Sequence, residues 1–574
     1  MMKTIRKKST PIRLGIIVLF YVAACVWITP HGFDMTDSGA LLTQYAMPLD
    51  ITRPISIGTF YTVWVGHWIH GLLPFGQLYV LSMLAWVLFA AEAVMAFRVF
   101  RRYLGDVSLA LLTMCGVFMN KFFDLLGYNN WTIFWFIVML ALLDQWMRTE
   151  RKGWLFAAGV IVGISVGFRL PNILQGLMVL GVFWYKWHGD SFRKAWGPAL
   201  LYCGGAGVSL AAVWGSYAAF YGPAALLSRL PGYTDRLSQS EDTGYSAVEM
   251  LSALFGGLAS GAAAAAIGMV AACLMAWAVC RITRSASPAG RRAVRSAAAV
   301  LLFAGMTLWI MDFTSEDTLN ARRPSLCLIA AFSLVVCLTA AFLFAKKDPR
   351  FSTLCVFAVG MILIVTLGTN NGTLFFMMGM MYYVPAAAAA VRKIGEYLEE
   401  KHAPEWTQQA VFLTKAAGMA LFCVLALFNF FTYEYVDGRA WDTTQTVDIP
   451  QLAGMKTTRQ KADLYEEFLS LFQGCEGEPL LMYGSFPMGY YLSGMEPAAG
   501  QVWMDLDSYS VGQLNEALED LEQRGEWPVI ALAFPWWPDY IYAPEKWALL
   551  DSFAMRNGYE VAYQSETLVV YRHP

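Results

Sequence analysis

The stretch "HGFDMTDSGALLTQY", residues 31–45, places two carboxylates three positions apart at the end of an apolar run. That run covers about residues 13–30, and about 17–25 apolar residues are enough to cross the hydrocarbon core of a bilayer as a helix. Asp34 and Asp37 therefore lie where the chain leaves a membrane. Charged side chains at this depth are energetically expensive and tend to be functional.

The composition of the whole chain is that of a membrane protein with some soluble mass. Hydrophobic residues make up 57% and charged residues 15% of its 574 residues, whereas a soluble domain is about 45–50% apolar. The apolar segment 54–74 contains two histidines and several Gly and Pro residues, so we expect an interfacial or re-entrant helix there. Thirteen other runs are predicted to be transmembrane helices, at about 13–30, 76–97, 105–120, 130–147, 153–168, 170–186, 197–221, 252–280, 296–312, 325–345, 351–368, 373–391 and 411–432.

The distribution of basic residues between the loops predicts the orientation. One set of alternate loops, with the N-terminus, holds 25 Lys and Arg residues, and the other set holds seven. Because basic loops stay in the cytoplasm, we expect a multi-pass protein of the cell (inner) membrane with a cytoplasmic N-terminus. Both aspartates and everything after residue 432 then lie outside. The alternative is a cleaved signal peptide, since "VAAC" (22–25) resembles a lipoprotein cleavage box.

The C-terminal part, residues 433–574, differs in character from the rest. It carries 22 acidic and 8 basic residues, a net charge of −14, which disfavours nucleic acid or anionic lipid as its partner. Strand-like runs at 479–485, 528–535 and 567–572, with an amphipathic helix at 510–525 that ends at Gly525, predict an extracytoplasmic acidic α/β domain. The aromatic segment "FPWWPDYIY" (534–542) is either a packed loop, a sugar-stacking platform or a membrane contact.

Several classes of function lack their usual motifs. The sequence contains no phosphate-binding P-loop, no G-x-G-x-x-G after a strand, no H-E-x-x-H and no G-x-S-x-G. The ten cysteines form no CxxC pairs, so neither a zinc site nor a disulfide framework is predicted, and Cys475 is expected to be a free, buried thiol. His67 and His70 have no third ligand nearby, so no metal site is predicted there.

Polar side chains gather in the loops predicted to lie outside, and they suit an anionic, hydroxyl-rich substrate. The candidates are the carboxylates Asp34 and Asp37 and the side chains of Arg53, Tyr128, Asn129, Arg169, Arg236 and Arg322. Each has a structural alternative. Asp37 would cap a helix that starts at Ser38, Asp34 would be a solvated interfacial charge, and Arg169 would pair with a carboxylate. Asn129 would belong to a turn, and Arg322 to a solvated edge.

The first outer loop carries a resemblance to a known superfamily. "FDMTDSGALL" (33–42), directly after the first span and before the segment 53–76, resembles the acidic first-loop motif of GT-C membrane glycosyltransferases. These include the protein mannosyltransferases that use polyprenyl-phosphate sugars and the aminoarabinose transferases of lipid A. The segments 482–503 and 557–572 are similar to the outer α/β tails of many bacterial members. The resemblance implies a GT-C-like fold of about 13 transmembrane helices, with residues 1–432 as the membrane domain and 433–574 as the tail.

The resemblance also implies a reaction and its participants. The donor is a polyprenyl-phosphate-linked sugar in the outer leaflet of the membrane, whose lipids are also a partner. The acceptor is a glycan, a lipid or a protein. Asp37 takes a proton from the acceptor hydroxyl, beside small Ser38 and Gly39 that leave room for a substrate. Arg169 binds the phosphate, with Arg53, Arg236 and Arg322 in reserve.

Two questions stay open at this point. The superfamily's acidic pair is often Asp-Glu, whereas here it is Asp37-Ser38. Whether Asp34 or Asp37 is the catalytic carboxylate, and whether a divalent cation binds, is therefore undecided. The rival functions are a transporter or flippase of lipid-linked sugars, which would use the same arginines without a base, and a scaffold whose acidic domain binds a partner. Because the polar residues collect on the outer side, the enzyme is favoured.

Overall fold

A computed structural model of the chain describes residues 2–49, 56–121, 125–228, 247–313, 323–369, 371–432, 439–506, 509–533 and 543–574. The part before residue 433 is helical throughout these ranges. Its helices are α1 Met2–Ile28, α2 Asp37–Ala46, α3 Phe60–Gly71, α4 Gln77–Phe100, α5 Asp106–Phe118, α6 Tyr128–Thr149, α7 Lys152–Phe168, α8 Val179–Gly189, α9 Phe192–Tyr221, α10 Ala247–Ile282, α11 Pro288–Phe313, α12 Arg323–Phe344, α13 Pro349–Ile364, α14 Met380–Glu400 and α15 Glu405–Thr432.

The helices match the predicted apolar runs. Within the described ranges, eight are long and apolar enough to cross a membrane, and α5, α7 and α13 are shorter apolar helices. The remaining two runs begin as 3₁₀-helices, Leu170–Met178 before α8 and Gly372–Met377 before α14. The polytopic helical fold is thus confirmed, while the count of thirteen spans stays a prediction. Helix α3 has 12 residues and is about 18 Å long, which is too short to cross.

The loops predicted to be cytoplasmic meet at one end of the bundle, which we call the basic end. Asp144, near the end of α6, accepts from Arg148 one turn later and from Arg350 at the start of α13, with N–O distances of 2.7 and 2.5 Å. Lys393 of α14 pairs there with Asp348. Ion pairs between these loops require that the loops share one side, as the alternation of basic residues predicts. The opposite end, which carries residues 31–36, is called the site end.

The tail folds around a five-stranded sheet. The strand order is β4-β3-β5-β7-β6, with β3 parallel to β4 and β5, and with β7 antiparallel to β5 and β6. The elements are β1 Gln445–Thr446, β2 Lys456–Thr457, α16 Arg459–Phe472, β3 Pro479–Tyr483, α17 Met488–Ser493, β4 Glu496–Pro497, α18 Val511–Arg524, β5 Val529–Ala533, α19 Pro544–Arg556, β6 Glu560–Gln564 and β7 Leu568–Arg572.

The predicted α/β character of the tail is confirmed at its hydrophobic elements. The three predicted strands are β3, β5 and β7, and the predicted helix is α18, which Ser510 caps and Gly525 ends with a left-handed φ of +68°. The short or exposed strands and the helices α16, α17 and α19 were not predicted. Cys475 is a free, buried thiol as expected. The aromatic segment 534–542 lies outside the described residues.

The tail packs directly onto the site end and shares a hydrophobic core with it. Phe33 of the first loop stacks on Tyr465 of α16 with ring centroids 5.6 Å apart, and the amide of Met488 donates to the carbonyl of Met35 at 3.2 Å. The predicted boundary after residue 432 stays a prediction, since residues 433–438 lie outside the described residues. The two parts nevertheless form one packed unit around the first loop.

Gly39 makes this contact possible, which corrects an expectation from the sequence. A Cβ added at Gly39 would lie 2.6 Å from the backbone nitrogen of Met488, closer than atoms of folded proteins approach. The missing side chain therefore admits α17 rather than a substrate. Ser38 beside it is buried, so neither small residue opens the site in the way the sequence suggested.

Candidate active site

Asp34 is part of the scaffold of the first loop. Its side chain is 3% exposed. One carboxylate oxygen accepts from the backbone N–H and the hydroxyl of Thr36, at 2.8 and 2.5 Å, and the other accepts from the N–H of Ser38 at 2.8 Å. Burial raises the pKa of the Asp34 carboxyl, and the hydrogen bonds from Thr36 and Ser38 offset part of that rise. Asp34 thus accepts hydrogen bonds from backbone N–H groups at the start of α2. The interpretation of Asp34 as a solvated charge is wrong.

Asp37 is the first residue of α2, so it does not cap a helix that starts at Ser38. Its side chain is half-buried and lies at a helix N-terminus, where the helix dipole stabilises negative charge. One of its oxygens, Oδ1, accepts from the hydroxyl of Tyr128 at 3.1 Å. Tyr128 is the first residue of α6, and its turn is fixed by the Gly127 N–H that donates to Asn130 Oδ1 at 2.9 Å.

Arg169 lies on the other side of Tyr128. It follows the last residue of α7, is 7% exposed, and donates from Nη2 to the carbonyl of Gly368 at 2.8 Å. Its guanidinium carbon is 5.9 Å from the ring centroid of Tyr128 and 5.6 Å from that of Phe375, within the range of cation–π attraction. Tyr128 therefore contacts the carboxylate through its hydroxyl and the guanidinium through its ring.

The position of Gly368 depends on the absence of a side chain. Its φ is +80°, which disfavours other residues, and an added Cβ would lie 2.3 Å from the Cβ of Pro171. Pro171 follows Arg169 by two residues, so the loop after α13 packs tightly on the turn after α7. Nothing in the sequence pattern singled out Phe375.

The comparisons with known proteins concern the fold. No protein-family model matches the chain, and no curated protein is significantly similar to it. The oligosaccharyltransferase of Archaeoglobus fulgidus, solved with a tethered acceptor peptide that contains an NVT sequon, superimposes with a TM-score of 0.50 over 98% of this chain and 74% of that one, at 12% identity. The chain has a GT-C fold.

Two further GT-C structures superimpose less closely. ArnT from Cupriavidus metallidurans in the apo state matches with a TM-score of 0.41, at 13% identity over 97% of this chain and 98% of that one. ArnT bound to undecaprenyl phosphate matches over the same shares at 13% identity, with a TM-score of 0.39.

Asn129 is one of several described residues with a buried polar atom that lacks a partner, and Asn120 is another. The Oδ1 of Asn129 is buried and has no hydrogen-bond partner among the described residues, a rare and costly state for a polar atom. Its neighbour Asn130 is used by the cap of α6, and Asn172 is used by Thr132 and Ser165. The structure thus separates Asn129 from amides with a plain structural role.

The other candidates are not placed. Arg53, Arg236 and Arg322 lie outside the described residues. Among the residues that the structure describes, no group of three or more His, Cys, Asp or Glu side chains lies close enough to hold a metal ion. The described carboxylates alone therefore do not form a complete metal-binding set.

Proposed function

We propose that the protein is a membrane glycosyltransferase that moves a hexose or pentose from a polyprenyl-phosphate donor to an acceptor hydroxyl. The reaction would take place at the outer face of the inner membrane, where the site end opens. The observation that carries the proposal is the chain of contacts from Asp37 through Tyr128 to Arg169. It puts a base and a phosphate-binding cation within reach of one substrate.

Asp37 is the base of the proposed reaction. The acceptor oxygen attacks the anomeric carbon, the bond from that carbon to the phosphate oxygen breaks, and its electron pair stays with the phosphate. The acceptor proton passes to Asp37. A positioned base contributes about 10²–10⁴-fold to such a rate. Asp34 cannot serve equally well, because the same oxygens hold the backbone of α2.

Arg169 is the cation that receives the departing phosphate. The leaving group is already an anion, so it needs positive charge rather than an acid, and a guanidinium contacts two phosphate oxygens at once. The carbonyl of Gly368 and the rings of Tyr128 and Phe375 fix this guanidinium before substrate arrives, which is the preorganisation that makes electrostatic stabilisation effective. Arg53, Arg236 and Arg322 remain proposed as further phosphate contacts.

The sugar and the acceptor would bind next to Asp37 and Arg169. The unpartnered Oδ1 of Asn129 would accept a hydrogen bond from a sugar hydroxyl. The tail packs against α2, which begins with Asp37, so an acceptor would approach along the tail. A glycan, a lipid or a protein fits this route, and the oligosaccharyltransferase of the same fold was solved with an acceptor peptide.

The test is a transfer assay on the full chain in lipid nanodiscs. A panel of polyprenyl-phosphate hexoses and pentoses, labelled in the sugar, is incubated with cell-envelope acceptors. We expect one donor to release polyprenyl phosphate and label an acceptor. An arm with a metal chelator decides whether a divalent cation takes part. The contradicting result would be movement of intact donor between the leaflets of sealed vesicles, without bond cleavage for any sugar. The protein would then be a flippase and not a glycosyltransferase.

A further inference from the structure

A cavity of about 110 Å³ lies between α10, α11, α12, α14 and α15. Its lining is almost wholly apolar, and Lys415 of α15 is the only charged residue among the described residues that line it. The lining residues Met269, Met306 and Gly418 are half-exposed, so the cavity opens on the lateral surface of the helical bundle. An empty apolar cavity is destabilising, and its chemistry suits a hydrocarbon chain rather than water.

A second cation lies on α11, one of the helices that line this cavity. Arg295 of α11 places its guanidinium carbon 3.5 Å from the ring centroid of Phe412, which is three residues before Lys415 on α15. Two turns after Arg295, Leu302 of α11 lines the cavity. The two cations thus flank the side of the cavity that faces the basic end, where α11 and α15 begin.

Neither cation is neutralised by a carboxylate of the described residues. The Nε of Arg295 is buried without a hydrogen-bond partner, and no described carboxylate pairs with Arg295 or Lys415. This contrasts with the ion pairs of Asp144 and Asp348 at the same end. A cation at membrane depth is costly unless it meets an opposite charge, so the pair calls for an anion from outside the chain.

We propose that this cavity binds an anionic phospholipid of the leaflet at the basic end. One acyl chain occupies the apolar cavity, and the phosphate lies between Arg295 and Lys415. Basic pockets between transmembrane helices on the cytoplasmic side are suited to anionic headgroups. The assignment is independent of the proposed reaction.

The test counts lipids retained by the full chain. Protein in nanodiscs of phosphatidylglycerol and phosphatidylcholine is released into detergent and examined by native mass spectrometry. We expect one phosphatidylglycerol to be retained by the wild type and at least tenfold less by the double variant Arg295→Gln, Lys415→Gln. The matched control, Arg291→Gln with Arg292→Gln, removes two exposed charges of the same helix and should retain the lipid.

Two further variants separate the site from a folding defect. Ala388→Leu narrows the cavity but keeps both cations, and should lower retention. The swap Arg295→Lys, Lys415→Arg keeps both charges and should preserve it. Equal retention of phosphatidylcholine and phosphatidylglycerol by the wild type would overturn the proposal. So would undiminished retention by the double Gln variant, or an equal loss in the control.

Discussion

The two ends of the helical bundle hold their charged side chains in different ways. At the basic end, Asp144 is joined to Arg350 and Arg148 by ion pairs of 2.5 and 2.7 Å. At the site end, Asp37 accepts from a phenol, and Arg169 donates to a carbonyl and lies against aromatic rings. An ion pair neutralises the charges that it joins, whereas a contact with a phenol, a carbonyl or a ring holds a charged group in position and does not itself supply a counter-charge. The first arrangement serves the fold, and the second suits a reaction.

The largest effect is expected at the basic end, on stability. Asp144→Asn leaves the nearly buried Arg350 without its counter-charge, and breaking a buried pair costs about 3–5 kcal/mol of unfolding free energy. The midpoint of thermal unfolding in detergent should therefore fall clearly. Asp190→Asn, which removes an exposed partner of Lys186, is the matched control and should leave the midpoint unchanged. Equal midpoints for Asp144→Asn and the wild type would remove the distinction between the two ends.

The next effect concerns donor binding at the site end. Arg169→Ala should weaken binding of a polyprenyl-phosphate sugar by about 10–100-fold, since hydrogen bonds to charged groups contribute about 1.5–3 kcal/mol. Arg169→Lys should recover only part, because an ammonium cannot contact two oxygens in one plane. Arg148→Lys at the basic end is the control with no expected change. Unaltered donor affinity in both Arg169 variants would assign Arg169 to structure alone.

A smaller effect is expected from the scaffold aspartate. Asp34→Asn keeps one acceptor oxygen, so either Thr36 or Ser38 loses its partner, at a cost of about 0.5–2 kcal/mol. Thermal unfolding measures this loss, and transfer activity per folded molecule should remain measurable. A folded Asp34→Asn protein without any activity would show that the wrong aspartate has been assigned to catalysis.

The smallest effect is expected at Tyr128, which contacts both Asp37 and Arg169. Tyr128→Phe removes the hydroxyl on Asp37 but keeps the ring beside Arg169. At 3.1 Å this hydrogen bond is long for a phenol on a carboxylate, so the transfer rate should fall only about two- to tenfold. Tyr45→Phe removes a buried hydroxyl that donates to the carbonyl of Leu126 at 2.9 Å, and should change stability rather than rate. Identical rates for both variants would show that Tyr128 does not position the base.

Much of the fold was predictable because it rests on local patterns. The apolar runs, the alternation of basic loops and the leucine spacing of α18 each reflect one element and its solvent. Helix α16 carries the spacing of an amphipathic helix, with Leu464, Phe468 and Phe472 buried on one face, and could have been predicted. Strand β6 escaped notice because it is short and mostly exposed. Contacts between the tail and the first loop are invisible in such patterns, because Gly39 and Met488 are far apart along the chain.

The site was predictable only in its residue types. The sequence placed Asp37, Tyr128 and Arg169 on one side of the membrane, and the structure brings these three together. The difference between Asp34 and Asp37 depends on which N–H groups each carboxylate faces, and both positions looked alike in the sequence. The role of Phe375 beside Arg169 required the fold, since it comes from a loop more than two hundred residues away.

The central claim is that Asp37 is the base while Asp34 holds the loop, and Asp37→Asn tests it most directly. The amide keeps the size of the side chain and an acceptor for Tyr128, but it cannot take a proton. The measurement is the single-turnover rate of sugar transfer at saturating donor, with donor affinity and the unfolding midpoint recorded on the same protein. The account predicts a rate about 10²–10⁴-fold lower, with affinity and midpoint near those of the wild type. Transfer at the wild-type rate by folded Asp37→Asn protein would contradict it.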